Sequence, residues 1–195
     1  MRTSGEKHFE SFFTRKGYTV EKKDKGNQTK NPDFQISKNG NLVAFCEVKD
    51  VGRLDISYFK DKTKPLPRDS QVIAQKIHHA YKQLHAANPN HVVPNIVAFY
   101  CDRLGTDAYD MHEAILGYVL FESGYKIYRK WVTVDNRIKD EKSEIDIYIF
   151  YDPPNSDFMN GSYAVIYITK RFSEAELKQF NFFNNEPMWD GSIGQ

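Results

Sequence analysis

Cysteine is nearly absent from this chain: Cys46 and Cys101 stand alone, with no second cysteine or histidine at the spacing a zinc site or disulfide framework needs. Both lie in apolar segments and read as reduced core residues. No apolar run reaches the length of a membrane span, and no secretory leader is visible. No glycine-rich phosphate loop occurs either, which argues against a nucleotide cradle of that kind. These absences lead to the expectation of a cytoplasmic protein that does not enter a membrane. Excess charge is also missing, since 27 basic residues face 26 acidic ones for a net +1. A role on nucleic acid must then rest on local patches rather than on bulk basicity.

What is there suffices for a folded domain. The 195 residues are 40% hydrophobic and 14% aromatic, which excludes a disordered chain and allows a substantial core. We expect a single domain over 1–195, with a core at about 4–101 and an extension at about 102–195.

Chemistry concentrates in one short stretch. Asp33-Phe34-Gln35-Ile36 alternates like a strand, and Leu42 to Lys49 forms a longer, mostly apolar one. An Asn39-Gly40-Asn41 turn between them makes a hairpin. A three-residue loop sets Ser37 opposite Val43, Gln35 opposite Phe45 and Asp33 opposite Glu47. A two-residue loop would set Asp33 against Cys46 and send Glu47 to the other face. Directly opposed carboxylates repel unless a cation lies between them. Alternation also puts Phe45, Glu47 and Lys49 on one side of the strand and Ala44, Cys46 and Val48 on the other. Taken alone, Glu47-Val48-Lys49 could be a salt-bridged strand end. The facing aspartate and the buried character of the strand give it more weight.

The first helix adds an acid. Ser4 can cap a run from about Gly5 to Lys16 that Gly17 ends, and Glu6 shares the face of Phe9 and Phe13, with Glu10 as the fallback. Two basic loops flank the acids: Lys22, Lys23, Lys25 and Lys30 on one side, and Arg53, Lys60, Lys62, Lys64 and Arg68 on the other. They are candidates for phosphate contacts, or simply solvated loops. A further helix starts at Asp69-Ser70 and runs to about Ala86, with Ile73, Ile77, Ala80 and Leu84 as its core stripe. His78 and His79 diverge by about 100° on that helix, which argues against joint metal binding.

In order and spacing, Gly5-Glu6, Lys16-Gly17-Tyr18, Pro32-Asp33 and Glu47-Val48-Lys49 resemble the PD-(D/E)XK, or restriction-endonuclease-like, nuclease superfamily. The layout is nearest to the Holliday-junction-resolvase-like small nucleases, over about residues 4–101. The resemblance implies an α/β fold with an αβββαβ core: helix 4–16, strands 18–22, 33–38 and 42–49, helix 70–86 and strand 95–101. A C-terminal α/β extension would pack on the same sheet. It implies a Mg²⁺ (or Mn²⁺) cofactor held by Asp33, Glu47 and the Val48 carbonyl, with Lys49 positioning the attacking water and Glu6 as an outer acid. The family often brings a glutamine or lysine from the second helix, here Gln75 with Gln71 as the alternative. DNA would be the substrate, and a homodimer is a candidate state because a duplex has two strands to cut. The implied activity is metal-dependent DNA endonuclease cleavage. The alternative is a non-catalytic nucleic-acid-binding or scaffold module with this fold. Phosphodiester hydrolysis asks for the same residue types on chemical grounds: a hard cation prefers carboxylate, carbonyl and water oxygens.

Beyond about residue 102 the resemblance stops. We expect a helix capped by Thr106 or Asp107 and running through Glu122, strands at about 125–134, 144–151 and 163–169, and a helix from Ser173 to about Phe182. Asp146, in a segment that faintly echoes the first motif, is a runner-up acid.

Overall fold

A computed structural model describes residues 2–22, 31–52, 69–102, 106–120, 126–128, 138, 141–154, 162–168, 171–173, 176–177, 180 and 189–190. The chain runs α1 (Ser4–Arg15), β1 (Thr19–Lys22), β2 (Phe34–Lys38), β3 (Asn41–Val51), α2 (Asp69–Ala87) and β4 (Asn95–Cys101). It continues with α3 (Ala108–Leu116), β5 (Tyr118–Leu120), β6 (Lys126–Tyr128), a 3₁₀ turn at Glu141–Ser143, β7 (Ile147–Asp152), β8 (Ser162–Tyr167) and the two-residue β9 (Trp189–Asp190). The fold is α/β, built on a mixed sheet of order β1-β2-β3-β4-β7-β8-β9. β5 and β6 pair separately as a hairpin. The extension therefore adds strands to the sheet that the first hundred residues begin.

Two apolar layers cover the sheet. On one face α1 brings Phe9, Phe12 and Phe13 against Phe34, Ile36, Cys46, Val48, Ile96 and Ile147. On the other, α2 packs Ile73, Ile77, Ala80 and Leu84 against Phe45, Val97, Phe99, Tyr148 and Phe150, with Met111 and Ile115 of α3 beside them. Each fully buried side chain of this size contributes roughly 1.5–3 kcal/mol relative to exposure. The strict alternation along β3 divides its residues between these layers. Glu47 and Lys49 lie on the α2 side, Val48 and Asp50 on the α1 side.

Helix ends differ from expectation in ways the caps explain. Thr3, not Ser4, caps α1, its hydroxyl accepting from Glu6 N at 3.2 Å. Asp107 caps α3 through a capping box with Asp110. That helix stops at Leu116 rather than Glu122, because Gly117 takes the left-handed conformation (φ 77°) and closes it. The expected strand at 125–134 and helix at 173–182 fall largely outside the described residues, which retain β6 and a helical pair at Glu176 and Leu177. Among the described residues, no helix is long and apolar enough to cross a membrane.

Candidate functional site

The hairpin register is reached by an unexpected route. The turn is a two-residue one at Asn39-Gly40, both with positive φ (52° and 80°), as this tight loop requires. By itself it would misalign the acids. A bulge between Ile36/Ser37 and the facing strand then shifts the ladder, so that Ser37 pairs with Leu42 but Ile36 with Ala44, Gln35 with Phe45 and Phe34 with Cys46. One extra residue, Val43, restores the register, and Asp33 arrives beside Glu47.

Backbone donors hold the two acids across the hairpin. Asp33 N–H donates to Glu47 Oε2 at 2.9 Å, and Val48 N–H donates to Asp33 Oδ2 at 2.9 Å. Asp33 is 1% exposed and Glu47 0%, so two carboxylates share a dry pocket. Like charges about 5 Å apart repel by roughly 3 kcal/mol at an effective dielectric near 20. Lys49 offsets this, its Nζ donating to Glu47 Oε1 at 2.6 Å and to Gln83 Oε1 at 3.0 Å. Gln83 Nε2 in turn donates to the Asn31 carbonyl at 3.2 Å. A closed circuit thus runs from α2 through the lysine to both acids. The neighbouring Cys46 thiol registers the surroundings: burial pushes its pKa well up, and the charges of Asp33 and Glu47 push it further.

The remaining expected residues are distributed as follows. Glu6 is buried on the α1 side and forms an ion pair with Lys22, so it stands beside the hairpin while the acid pair faces α2. Glu10, its fallback, pairs with Arg2 at the surface. Gln75 does not reach Lys49. It is exposed, lining a surface cavity with His78 and His79. Gln83 lies eight residues further on, about 80° around the helix, and is the glutamine that makes the contact. Lys23, Lys25, Lys30, Arg53, Lys60, Lys62, Lys64 and Arg68 lie outside the described residues.

Compared with family models, curated proteins and solved structures, the chain matches none.

Three residues near the acids escaped sequence reasoning. Gln83 sits at the border of the core stripe, one residue before Leu84, a placement that a finer reading of the helix would have picked out. Lys76, seven residues before it and on the same side, is half-buried. Burial lowers the Lys76 pKa, the charge of Lys49 lowers it further, and Asp50 opposes them. Lys49, Lys76 and Asp50 therefore form one electrostatic neighbourhood. Asp50 accepts a hydrogen bond from Gly5 N–H of α1 at 2.8 Å. No spacing rule in the sequence foretells that long-range contact.

Asp146 belongs to a different construction. Its Oδ2 lies 2.6 Å from His91 Nε2 and accepts from Asn95 N–H at 2.8 Å. Asn88 binds Asn95 Oδ1 and the Val93 carbonyl, and Glu144 pairs with Arg171. Other histidines also meet acids: His78 pairs with Glu141, and His85 lies 3.7 Å from Glu144. Among the described residues, no group of three or more His, Cys, Asp or Glu side chains is arranged to hold a metal ion.

Proposed function

We propose that this protein is a metal-dependent DNA endonuclease of the restriction-endonuclease-like kind. The observation that carries the reading is the bonding of Asp33 N–H to Glu47 and of Val48 N–H to Asp33, with Lys49 2.6 Å from Glu47, in the order that the PD-(D/E)XK resemblance assigns. The donor set fits Mg²⁺ or Mn²⁺: such an ion commonly takes one or two protein carboxylates and leaves its other positions to water. Asp33 and Glu47 are those carboxylates. The Val48 carbonyl is a third donor, since in an extended strand it points the same way as the Val48 N–H that meets Asp33. When bound, the ion supplies an acidified water and offsets the charge that builds on the phosphate.

The protein's own groups do the rest. Lys49, the least buried of the triad with 16% of its side chain exposed, turns its ammonium from Glu47 toward the incoming water and phosphate. Gln83 keeps that ammonium on the acid side, and Lys76 adds a second cation for phosphate oxygens. Glu6 and Lys22 close the α1 side. The reading extends to DNA contacts through the basic loops, to a cytoplasmic setting and to a homodimer.

A second reading has one observation in its favour: Lys49 is already engaged by both Glu47 and Gln83, as in a salt-bridged scaffold. The deciding experiment combines a Mg²⁺ cleavage panel (linear duplex, single strand, flap and four-way junction) with Mn²⁺ titration. The nuclease cuts at least one substrate and binds Mn²⁺ in a way that Asp33→Asn removes. A protein that does neither is the scaffold module.

A further inference from the structure

β3 is longer than its partner on one side. The β2 ladder ends at Phe34 opposite Cys46, while Glu47 to Val51 continue, among the described residues, with β4 as the neighbouring strand, through Glu47↔Val97 to Val51↔Cys101. Among the described residues, the segment that carries Glu47 and Lys49 is therefore laddered to one strand, and its other edge is met by the Asp33 carboxylate at Val48 N–H. Such an end would shift in the plane of the sheet unless something else held it.

Something does hold it. Asp50, directly after the lysine, turns to the opposite face and takes Gly5 N–H at 2.8 Å, within the first turn of α1. A carboxylate there satisfies one of the orphan donors of the helix and sits at the positive end of its dipole. The approach is close enough to demand glycine. A Cβ on Gly5 would lie 2.8 Å from Tyr100 Cβ, 2.9 Å from Asp50 Oδ1 and 3.0 Å from Val48 Cγ1. Helix and strand end thus meet with no room for a side chain on the helix residue, and Glu6 follows at once on the helix.

We propose that Asp50 is a positioning residue for Lys49, stapling the one-sided end of β3 to the N-terminus of α1. The catalytic half of this rests on the nuclease reading; the staple does not. Lys49 depends on it because an ammonium displaced by about 1 Å can cost roughly a hundredfold in rate. In this role Asp50 acts through the position of Lys49.

The test uses the full chain and three variants. Asp50→Ala removes the acceptor, Asp50→Asn keeps an oxygen for Gly5 N–H without the charge, and Gly5→Ala forces the helix away while leaving Asp50 intact. In amide hydrogen exchange, Gly5 should exchange about tenfold faster in Asp50→Ala and close to the wild-type rate in Asp50→Asn. In Mg²⁺-dependent cleavage, Asp50→Ala and Gly5→Ala should lose at least about tenfold in kcat with KM unchanged, and Asp50→Asn should recover most of it. Unchanged Gly5 exchange in Asp50→Ala, or wild-type kcat in that variant, overturns the proposal. So does a loss that appears in KM alone. If Asp50→Ala does not fold, Gly5→Ala and Asp50→Asn decide the matter. A wild-type protein that cleaves nothing refutes the nuclease reading and the catalytic half together, while the exchange data still judge the staple.

Discussion

Two strands apart in the same sheet, this protein buries acids in two contrasting ways. Before β7, the Asp146 carboxylate is met by the His91 imidazole and the Asn95 backbone N–H, and the Asn88 side chain braces Asn95 beside them. The groups that touch the Asp146 carboxylate are short, and together they sew the α2–β4 connection to the strand that follows. At the β2–β3 edge, Glu47 accepts from the Asp33 N–H and Asp33 from the Val48 N–H, and the outermost member of their circuit is a long, partly exposed lysine. A network closed by rigid groups has nothing to exchange with a ligand. One that ends in a flexible ammonium can open and accept a substitute partner. Burial of charge is thus structural in the first case and, on the nuclease reading, held ready for chemistry in the second.

The sharpest way to break this contrast is to delete the lysine or the aspartate. Lys49→Ala and Asp33→Ala should each lower Mg²⁺-dependent DNA cleavage by roughly 10³-fold or more while circular dichroism reports an intact fold. Removing His91 should do the reverse. His91→Ala leaves Asp146 buried without its imidazole and should cost about 3 kcal/mol in urea unfolding, with cleavage at low temperature retained. Within the β3 site, Gln83→Ala should reduce kcat about tenfold, whereas Gln75→Ala, on the exposed side of α2, should leave kcat at the wild-type value. Equal effects from the two glutamines would remove α2 from the circuit.

The smallest expected effect concerns an acid set among other acids. Asp110 on α3 has its pKa raised to about 6, first by burial and then by the nearby charges of Asp107, Asp69 and Glu113. Its folded form holds the proton more tightly than the unfolded chain, so ionisation costs stability as pH rises through about 6. Asp110→Asn, which keeps an acceptor for the Asp107 N–H, should raise Tm by about 2 °C at pH 7.5 and have little effect at pH 4. A gain of equal size at both values would mean that charge is not the cause.

Much of this was legible in residue order. The apolar stripes of α1 and α2 and the alternation along β3 lead directly to the observed elements, because burial on one face leaves a periodic trace. The pairing of Asp33 with Glu47 was also within reach, although the loop that seemed to produce it is not the one that does. Gln83 and Asp50 were not accessible in the same way. Their partners, Lys49 and Gly5, lie 34 and 45 residues away, and contacts at that range follow from how layers stack rather than from local spacing. The stop at Gly117 shows a related limit: a helical pattern continues past it, and a single left-handed residue ends it.

The extra residue at Val43 has a wider consequence. Since the tight tip and the kink cancel, the alignment of the two acids is a sum of two local irregularities, and either can change only if the other changes with it. A loop grafted onto this hairpin with one more residue would be tolerated when Val43 is deleted at the same time, and would turn Glu47 away from Asp33 when it is not.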